Sequence, residues 1–225
     1  MATVRSRKLP PASYYPDSDG QPMAETPQHR QNMTDTIVTL GFWFENDPQV
    51  YVSGNMFIYY VPGDRLRHIS PDVFVVRDVP KLPERRRYLV WEEGKGPDLV
   101  IEFTSPSTRE EDIDDKFPIY RDTLGVREYF LFDPFAEYLD PPMQGYRLHG
   151  GRYVRIRRVN GRLPSKVLGL HLERDDWQLR LYDPRTGRRL LTPAEEHEAR
   201  QHAEAEVERL RGQLDALRRR LPGET

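Results

Sequence analysis

The chain has 225 residues, a formal net charge of −2, 31% charged residues and no cysteine. This length accommodates one domain of about 150–190 residues and an appendage, and the near-neutral charge excludes a globally basic nucleic-acid-binding protein. The lack of cysteine excludes disulfides, thiolate zinc sites and cysteine nucleophiles. It is compatible with a reducing cytoplasm, where we expect the protein. The sequence contains no run of about 18 apolar residues, so we expect no membrane span.

The N-terminal region predicts an arm followed by a helix. Residues 1–25 are rich in proline, serine and aspartate and lack the apolar run of a signal peptide, so we expect an extended arm or a disordered tail. From Thr26 to Phe44, apolar residues recur at helical spacing and predict an amphipathic helix. The apolar positions are Met33, Ile37, Leu40, Trp43 and Phe44.

Several β-rich segments follow this helix. Val50–Val61 predicts β-structure, with Ser53-Gly54-Asn55 as a turn or bulge. Val73–Val76 and Asp98–Phe103 predict core strands, and Arg87–Glu92 is a candidate for a neighbouring strand.

Two carboxylates accompany the predicted core strands. Asp72 directly precedes one strand, and Glu102 lies between apolar residues of the other. Burying a carboxylate is costly unless a cation or a donor offsets the cost, and two carboxylates on neighbouring strands would suit Mg²⁺. For Asp72 the alternative is a turn residue after proline. Asp98 is about 13 Å from Glu102 along the same strand face, which favours an exposed residue at the strand start over a third ligand.

A crossover helix is predicted within Ser107–Leu124, where Ser107 and Thr108 each begin a capping-box pattern. Its apolar stripe consists of Ile113, Phe117, Tyr120 and Leu124. Pro118 lies either in the first turn of a helix that begins near Asp115 or at a bend. The next predicted strand is Glu128–Asp133, and this strand–helix–strand order indicates a mixed or parallel sheet.

The C-terminal third changes character. Two hairpin patterns predict a β-extension that begins at about residue 144: one turns at His149-Gly150-Gly151 and the other at Asp183-Pro184-Arg185-Thr186-Gly187. Residues 192–225 predict a separate helix with a capping box at its start and Pro222-Gly223 at its end. Its apolar seam has the 4-3-4-3-4 spacing of a coiled coil, weakened locally by Gly212. The seam consists of Ala203, Val207, Leu210, Leu214, Leu217 and Leu221.

Several short motifs lie between residues 70 and 134. They are Pro71-Asp72-Val73, Pro97-Asp98-Leu99-Val100-Ile101-Glu102, Ser105-Pro106-Ser107-Thr108, Asp115-Lys116, Tyr120, Gly125-Val126-Arg127-Glu128-Tyr129 and Asp133-Pro134. Together they resemble the motifs of the Uma-two family of restriction-type endonucleases, within the PD-(D/E)XK nuclease superfamily. The resemblance covers about residues 27–150. It implies an α/β core with a mixed sheet flanked by helices, a divalent metal and phosphodiester hydrolysis, so that residues 26–191 form the endonuclease-like domain.

The resemblance also assigns roles to individual residues. Asp72 and Glu102 match the two metal-binding carboxylates. Thr104 occupies the position where the superfamily usually has lysine, and Lys116 on the following helix is the matching lysine. The alternative for Lys116 is an i, i+4 ion pair with Asp112. His29 matches a position common in the family, but it has no metal-ligand spacing with the other histidines.

These observations predict a DNA endonuclease that uses Mg²⁺ or Mn²⁺ and the catalytic residues Asp72, Glu102 and Lys116. Candidate contacts with the phosphates of double-stranded DNA are Arg85, Arg86, Arg87, Arg152, Arg155, Arg157 and Arg158. The alternative is an inactive scaffold or nucleic-acid-binding protein that recruits a partner through the coiled coil. Under either hypothesis, the C-terminal helix predicts a homodimer or a complex with a partner protein.

Overall fold

The computed structural model describes residues 9–18, 26–104, 115–137 and 139–220. The chain divides into two compact units, residues 1–190 and 191–225. Within the described ranges, no helix is both long enough and apolar enough to cross a membrane.

The first unit is an alternation of short strands and helices. Its first half contains α1 (Pro27–Trp43), β1 (Val50–Ser53), β2 (Ile58–Tyr59), β3 (His68–Ile69), β4 (Val73–Arg77), β5 (Tyr88–Leu89), α2 (Val90–Glu93) and β6 (Leu99–Phe103). Its second half contains α3 (Lys116–Pro118), which continues as a π-helical turn (Ile119–Thr123), then β7 (Glu128–Phe132), β8 (Met143–His149), β9 (Arg152–Arg155), β10 (Leu163–Pro164), β11 (His171–Asp175), β12 (Gln178–Asp183) and β13 (Arg188–Arg189).

A six-stranded mixed sheet forms the centre of this unit, in the order β1-β4-β6-β7-β8-β9. Strands β6 and β7 are parallel and the other neighbours are antiparallel. The predicted mixed sheet is thus confirmed. A parallel pair requires a crossover connection, and the chain between β6 and β7 makes it. Pro118 is the last residue of α3, and the capping-box residues and Ile113 lie outside the described residues.

The central sheet has a hydrophobic core on each face because side chains alternate along its strands. Leu99, Ile101 and Phe103 belong to the core that also contains Leu40 of α1. Val100 lies between Leu99 and Ile101 in the strand, so its side chain points to the other face and belongs to the opposite core. Residues of β10–β12 complete the first core. The small sheet β3-β2-β5 and the segment that follows α3 contribute to the second core.

The two predicted hairpins lie in different sheets. The hairpin β8–β9 continues the central sheet, because β8 pairs with β7. Gly145 lies opposite Phe130, and a Cβ atom there would be 2.8 Å from the Phe130 ring. The separate sheet is β10-β11-β12-β13, which includes the predicted second hairpin. A hairpin pattern predicts that two strands pair with each other, but it does not identify the next neighbour of either strand.

Residues 9–18 of the N-terminal arm pack against the rest of the first unit. The Tyr15 ring is fully buried and contacts Tyr59 and Trp91. Its hydroxyl accepts a hydrogen bond from the Gly63 amide at 2.7 Å, and the Tyr59 hydroxyl donates to the carbonyl of Pro16. The alternative of a disordered tail is therefore wrong for this stretch.

The second unit consists of one long helix, α4 (Pro193–Arg220). The predicted capping box is confirmed: the Glu195 amide donates to Thr192 Oγ1 at 3.3 Å, and the Thr192 amide donates to Glu195 Oε2 at 2.8 Å. Leu221 and the predicted Pro222-Gly223 terminator lie outside the described residues.

Candidate active site

The pairing of β4 with β6 brings the two sequence-predicted carboxylates together. Val73 lies opposite Ile101 in this antiparallel pair, so the same register places Asp72 opposite Glu102. Side chains opposite each other in an antiparallel pair have Cβ atoms about 4.5–5.5 Å apart. The Asp72 amide donates to Glu102 Oε2 at 3.1 Å, and the Phe103 amide donates to Asp72 Oδ2 at 2.7 Å. Each carboxylate is thus oriented by the backbone of the opposite strand.

Glu102 is almost completely buried, with 1% of its side chain exposed. It lies on the sheet face that α3 covers, because it has the same strand phase as Val100. From this segment, Lys116 Nζ approaches Glu102 Oε1 at 3.2 Å, and the Tyr120 hydroxyl donates to the same oxygen at 2.5 Å. These donors compensate the cost of burying the carboxylate charge.

Asp72 has a partner that sequence spacing did not predict. His29 Nε2 lies 3.1 Å from Asp72 Oδ1, although 43 residues separate the two in sequence. The histidine occupies the first turn of α1, where its amide donates to the side chain of the N-cap residue Thr26. Its ring also contacts Phe103 edge-on, with 6.0 Å between ring centroids. Only the family resemblance distinguished His29 in the sequence, because a contact between two distant segments leaves no local motif.

Thr104 does not replace the missing lysine. Its side chain is buried, its amide donates to the Phe132 carbonyl at 2.9 Å, and its hydroxyl lies 3.4 Å from the same oxygen. Thr104 therefore helps to join the ends of β6 and β7. The ammonium group that contacts Glu102 comes from Lys116 instead.

Gly54 contributes to the site through its lack of a side chain. A Cβ atom at this position would lie only 1.9 Å from the Asp72 carbonyl oxygen. The neighbouring Asn55 amide donates to the Pro71 carbonyl at 2.8 Å, which joins this turn to the start of β4. The sequence predicted a turn or bulge here, but it did not indicate that the turn packs directly on the backbone of Asp72.

We expected Asp98 to be an exposed residue at the strand start, but its carboxylate is buried and binds neighbouring basic residues. Its side chain is only 3% exposed. It accepts hydrogen bonds from the Arg77 amide and from Lys95 Nζ, each at 2.7 Å, and Arg127 Nε lies 3.2 Å from its other oxygen. The basic side chains around this end of β6 enclose the carboxylate, which local sequence could not reveal.

The predicted phosphate-binding arginines have different environments. Arg85 pairs with Glu93 at 2.6 Å, and this hydrogen bond raises the pKa of Arg85. Arg87 donates to backbone carbonyls of the N-terminal segment 9–18, so Arg85 and Arg87 both hold the fold together. Arg86 and Arg155 are exposed, although Arg86 pairs with an aspartate and Arg155 donates to a glutamine.

The donor set of the site is compatible with Mg²⁺. Among the described residues, no three histidine, aspartate or glutamate side chains form a ready-made metal site. Mg²⁺, however, is commonly held by only one or two carboxylates, with water and substrate phosphate completing its coordination. Asp72 and Glu102 supply two such hard oxygen donors on adjacent strands.

Comparisons with known proteins agree with this architecture. A crystal structure of a putative nuclease belonging to DUF820, from Anabaena variabilis ATCC 29413, matches with a TM-score of 0.52 and 16% sequence identity, over 73% of this chain and 93% of that chain. At this identity the match shows a shared fold. No curated protein matches the chain. The profile of the Uma2 family, described as putative restriction endonuclease, matches residues 7–185. Because this match spans most of the chain, the protein belongs to the Uma2 family.

Proposed function

We propose that this protein is an endonuclease that hydrolyses phosphodiester bonds in double-stranded DNA with Mg²⁺ or Mn²⁺. The observation that carries the proposal is the convergence of Asp72, Glu102 and Lys116 at one end of the β4–β6 pair. Family membership supports nuclease chemistry. Mg²⁺ and the DNA substrate are inferred from the two carboxylates and the family resemblance.

The proposed mechanism assigns different work to each side chain. Asp72 and Glu102 would hold the cation beside the scissile phosphate. A bound Mg²⁺ supplies electrostatic stabilisation of the negative charge that develops on the phosphate. Lys116 would stabilise the same charge, because its ammonium group is only 3.2 Å from Glu102 and its side chain is 12% exposed. A preorganised cation in a poorly solvated site has little reorganisation to undergo during reaction.

Two further residues would position the carboxylates. Tyr120 holds Glu102 Oε1 through its hydroxyl, and His29 contacts Asp72 Oδ1. Partners of this kind fix the orientation of metal ligands. They leave Asp72 and Glu102 with defined directions before substrate arrives.

A cleavage and binding experiment tests the proposal. Wild type should cleave supercoiled plasmid with Mg²⁺ or Mn²⁺ and not with EDTA, and parallel reactions on RNA test the choice of substrate. Lys116→Met should reduce cleavage by about 10²–10³-fold, the usual effect of losing one electrostatic stabiliser, and keep Mn²⁺ binding in calorimetry. Glu102→Gln should lose both cleavage and Mn²⁺ binding.

Matched controls separate the site from general damage. Lys95→Met removes the lysine that pairs with buried Asp98, another carboxylate of the β6 segment. Glu128→Gln alters a glutamate as buried as Glu102 but bound to Arg147 and the segment 165–167. Both controls should retain cleavage per folded molecule, as judged by thermal unfolding. Equal loss in Lys95→Met and Lys116→Met would contradict the assignment of Lys116.

The inactive scaffold is the second candidate, and the structural position of Thr104 favours it. A threonine bound to the Phe132 carbonyl cannot supply the charge of the usual lysine. This candidate predicts Mn²⁺ or DNA binding without cleavage. Cleavage that depends on both metal and Lys116 would exclude it.

A further inference from the structure

Helix α4 carries an apolar stripe that is open to solvent. Val207, Leu210, Leu214 and Leu217 are 46%, 50%, 48% and 58% exposed. They recur with the 3-4-3 spacing of a coiled-coil seam. Exposed apolar side chains at this spacing are typical of a helix that pairs with another helix.

The charges of α4 are separated along its length. Residues 193–208 contain six glutamates and one arginine, whereas residues 209–220 contain five arginines and one aspartate. Two such helices side by side in the same direction would place their acidic halves together and their basic halves together. In opposite directions, the acidic half of each helix faces the basic half of the other.

We propose that α4 binds α4 of a second copy of this chain in antiparallel orientation. Centring the two seams on each other stacks Val207 against Leu217 of the second copy and Leu210 against Leu214 of the second copy. Every exposed seam residue then has an apolar partner. The proposal is independent of the nuclease function.

The residues beside the seam distinguish the two orientations. In the antiparallel pair, Glu204 lies beside Arg218 of the second copy, and the symmetric contact forms at the other end of the same side of the seam. Between these two contacts, Arg211 faces Arg211 of the second copy, which is repulsive. The parallel alternative instead pairs Glu206 with Arg211 of the second copy.

Arg200 favours the antiparallel arrangement. It occupies a seam position seven residues before Val207. A parallel in-register pair would therefore place it against Arg200 of the second copy inside the seam. In the antiparallel pair the two Arg200 side chains lie at opposite ends of the seam and do not meet. Arg200 binds Glu204 of its own helix at 2.9 Å, which keeps its charge at the surface.

Charge reversal in the full-length chain tests the orientation. Wild type should sediment as a dimer of 26.5 kDa protomers. Arg218→Glu places a glutamate beside Glu204 at both ends of the pair and should raise the dimer dissociation constant at least tenfold. Glu204→Arg should act in the same way, and an equimolar mixture of the two variants should recover dimers. Arg219→Glu makes the same charge change away from the seam and should leave the dimer intact.

Each alternative has a distinct result. A wild-type monomer at micromolar concentration would overturn the proposal. A dimer that tolerates Arg218→Glu as well as Arg219→Glu would overturn the antiparallel arrangement, because a parallel pair places Arg218 beside the uncharged Gln213. Failure of the mixed variants to recover dimers would also contradict it.

A spin label gives an independent measure of orientation. The chain has no cysteine, so Ala205→Cys introduces a unique labelling position on the side of α4 away from the seam. In the antiparallel pair, the two labels are separated along the helix axis by about 14 residue positions, or about 21 Å. Labels at the same height in both helices would contradict the proposal.

Discussion

Removal of the Tyr120 hydroxyl should release Glu102 without disturbing the core. The Tyr120 ring is fully buried, and its hydroxyl donates to Glu102 Oε1 at 2.5 Å. Tyr120→Phe keeps the ring, so it creates almost no cavity. It removes a hydrogen bond to a charged group, which is worth about 1.5–3 kcal/mol. We expect the free energy of unfolding to fall by that amount.

Tyr88→Phe is the matched control. Tyr88 is equally buried in the same core, but its hydroxyl donates to the uncharged Lys95 carbonyl at 2.9 Å. Loss of this neutral hydrogen bond should cost about 0.5–1.5 kcal/mol. Urea unfolding followed by circular dichroism measures both variants, and calorimetry with Mn²⁺ measures binding. Tyr120→Phe should weaken Mn²⁺ binding by about 10–100-fold, as expected for a partner of a metal ligand, whereas Tyr88→Phe should not.

Two results would refute this reasoning. If both variants lose the same stability, the Tyr120 hydrogen bond is no stronger than a neutral one. If Tyr120→Phe binds Mn²⁺ as tightly as wild type, the hydroxyl does not orient a metal-binding Glu102.

Gly54→Ala should destabilise the fold by about 1–3 kcal/mol and reduce Mn²⁺ binding, because the new methyl group would overlap the Asp72 carbonyl. Gly41 lies in open space within α1, so Gly41→Ala should instead stabilise the fold by up to about 1 kcal/mol in the same urea titration. Equal effects of the two changes would contradict the steric argument. Arg87→Gln should accelerate chymotrypsin cleavage within residues 9–18, because Arg87 donates hydrogen bonds to carbonyls of that segment. A time course followed by mass spectrometry measures the cleavage, and an unchanged rate would show that residues 9–18 stay packed without the Arg87 hydrogen bonds.

The sequence by itself determined the features that depend on neighbouring residues. Helical spacing located α1, and alternation located β4, β6 and β7 to within one or two residues. The capping box marked the start of α4, since its two hydrogen bonds join residues three apart. An acidic residue among apolar neighbours marked Glu102, because a buried charge requires a compensating partner.

Only the tertiary structure decided the features that depend on contacts between distant segments. The register of β4 on β6 placed Asp72 opposite Glu102, and the packing of α1 brought His29 to Asp72. The same kind of contact enclosed Asp98 with basic side chains and joined the hairpin β8–β9 to the central sheet. Such contacts arise from the summed packing of the whole core, so no local pattern in the chain encodes them.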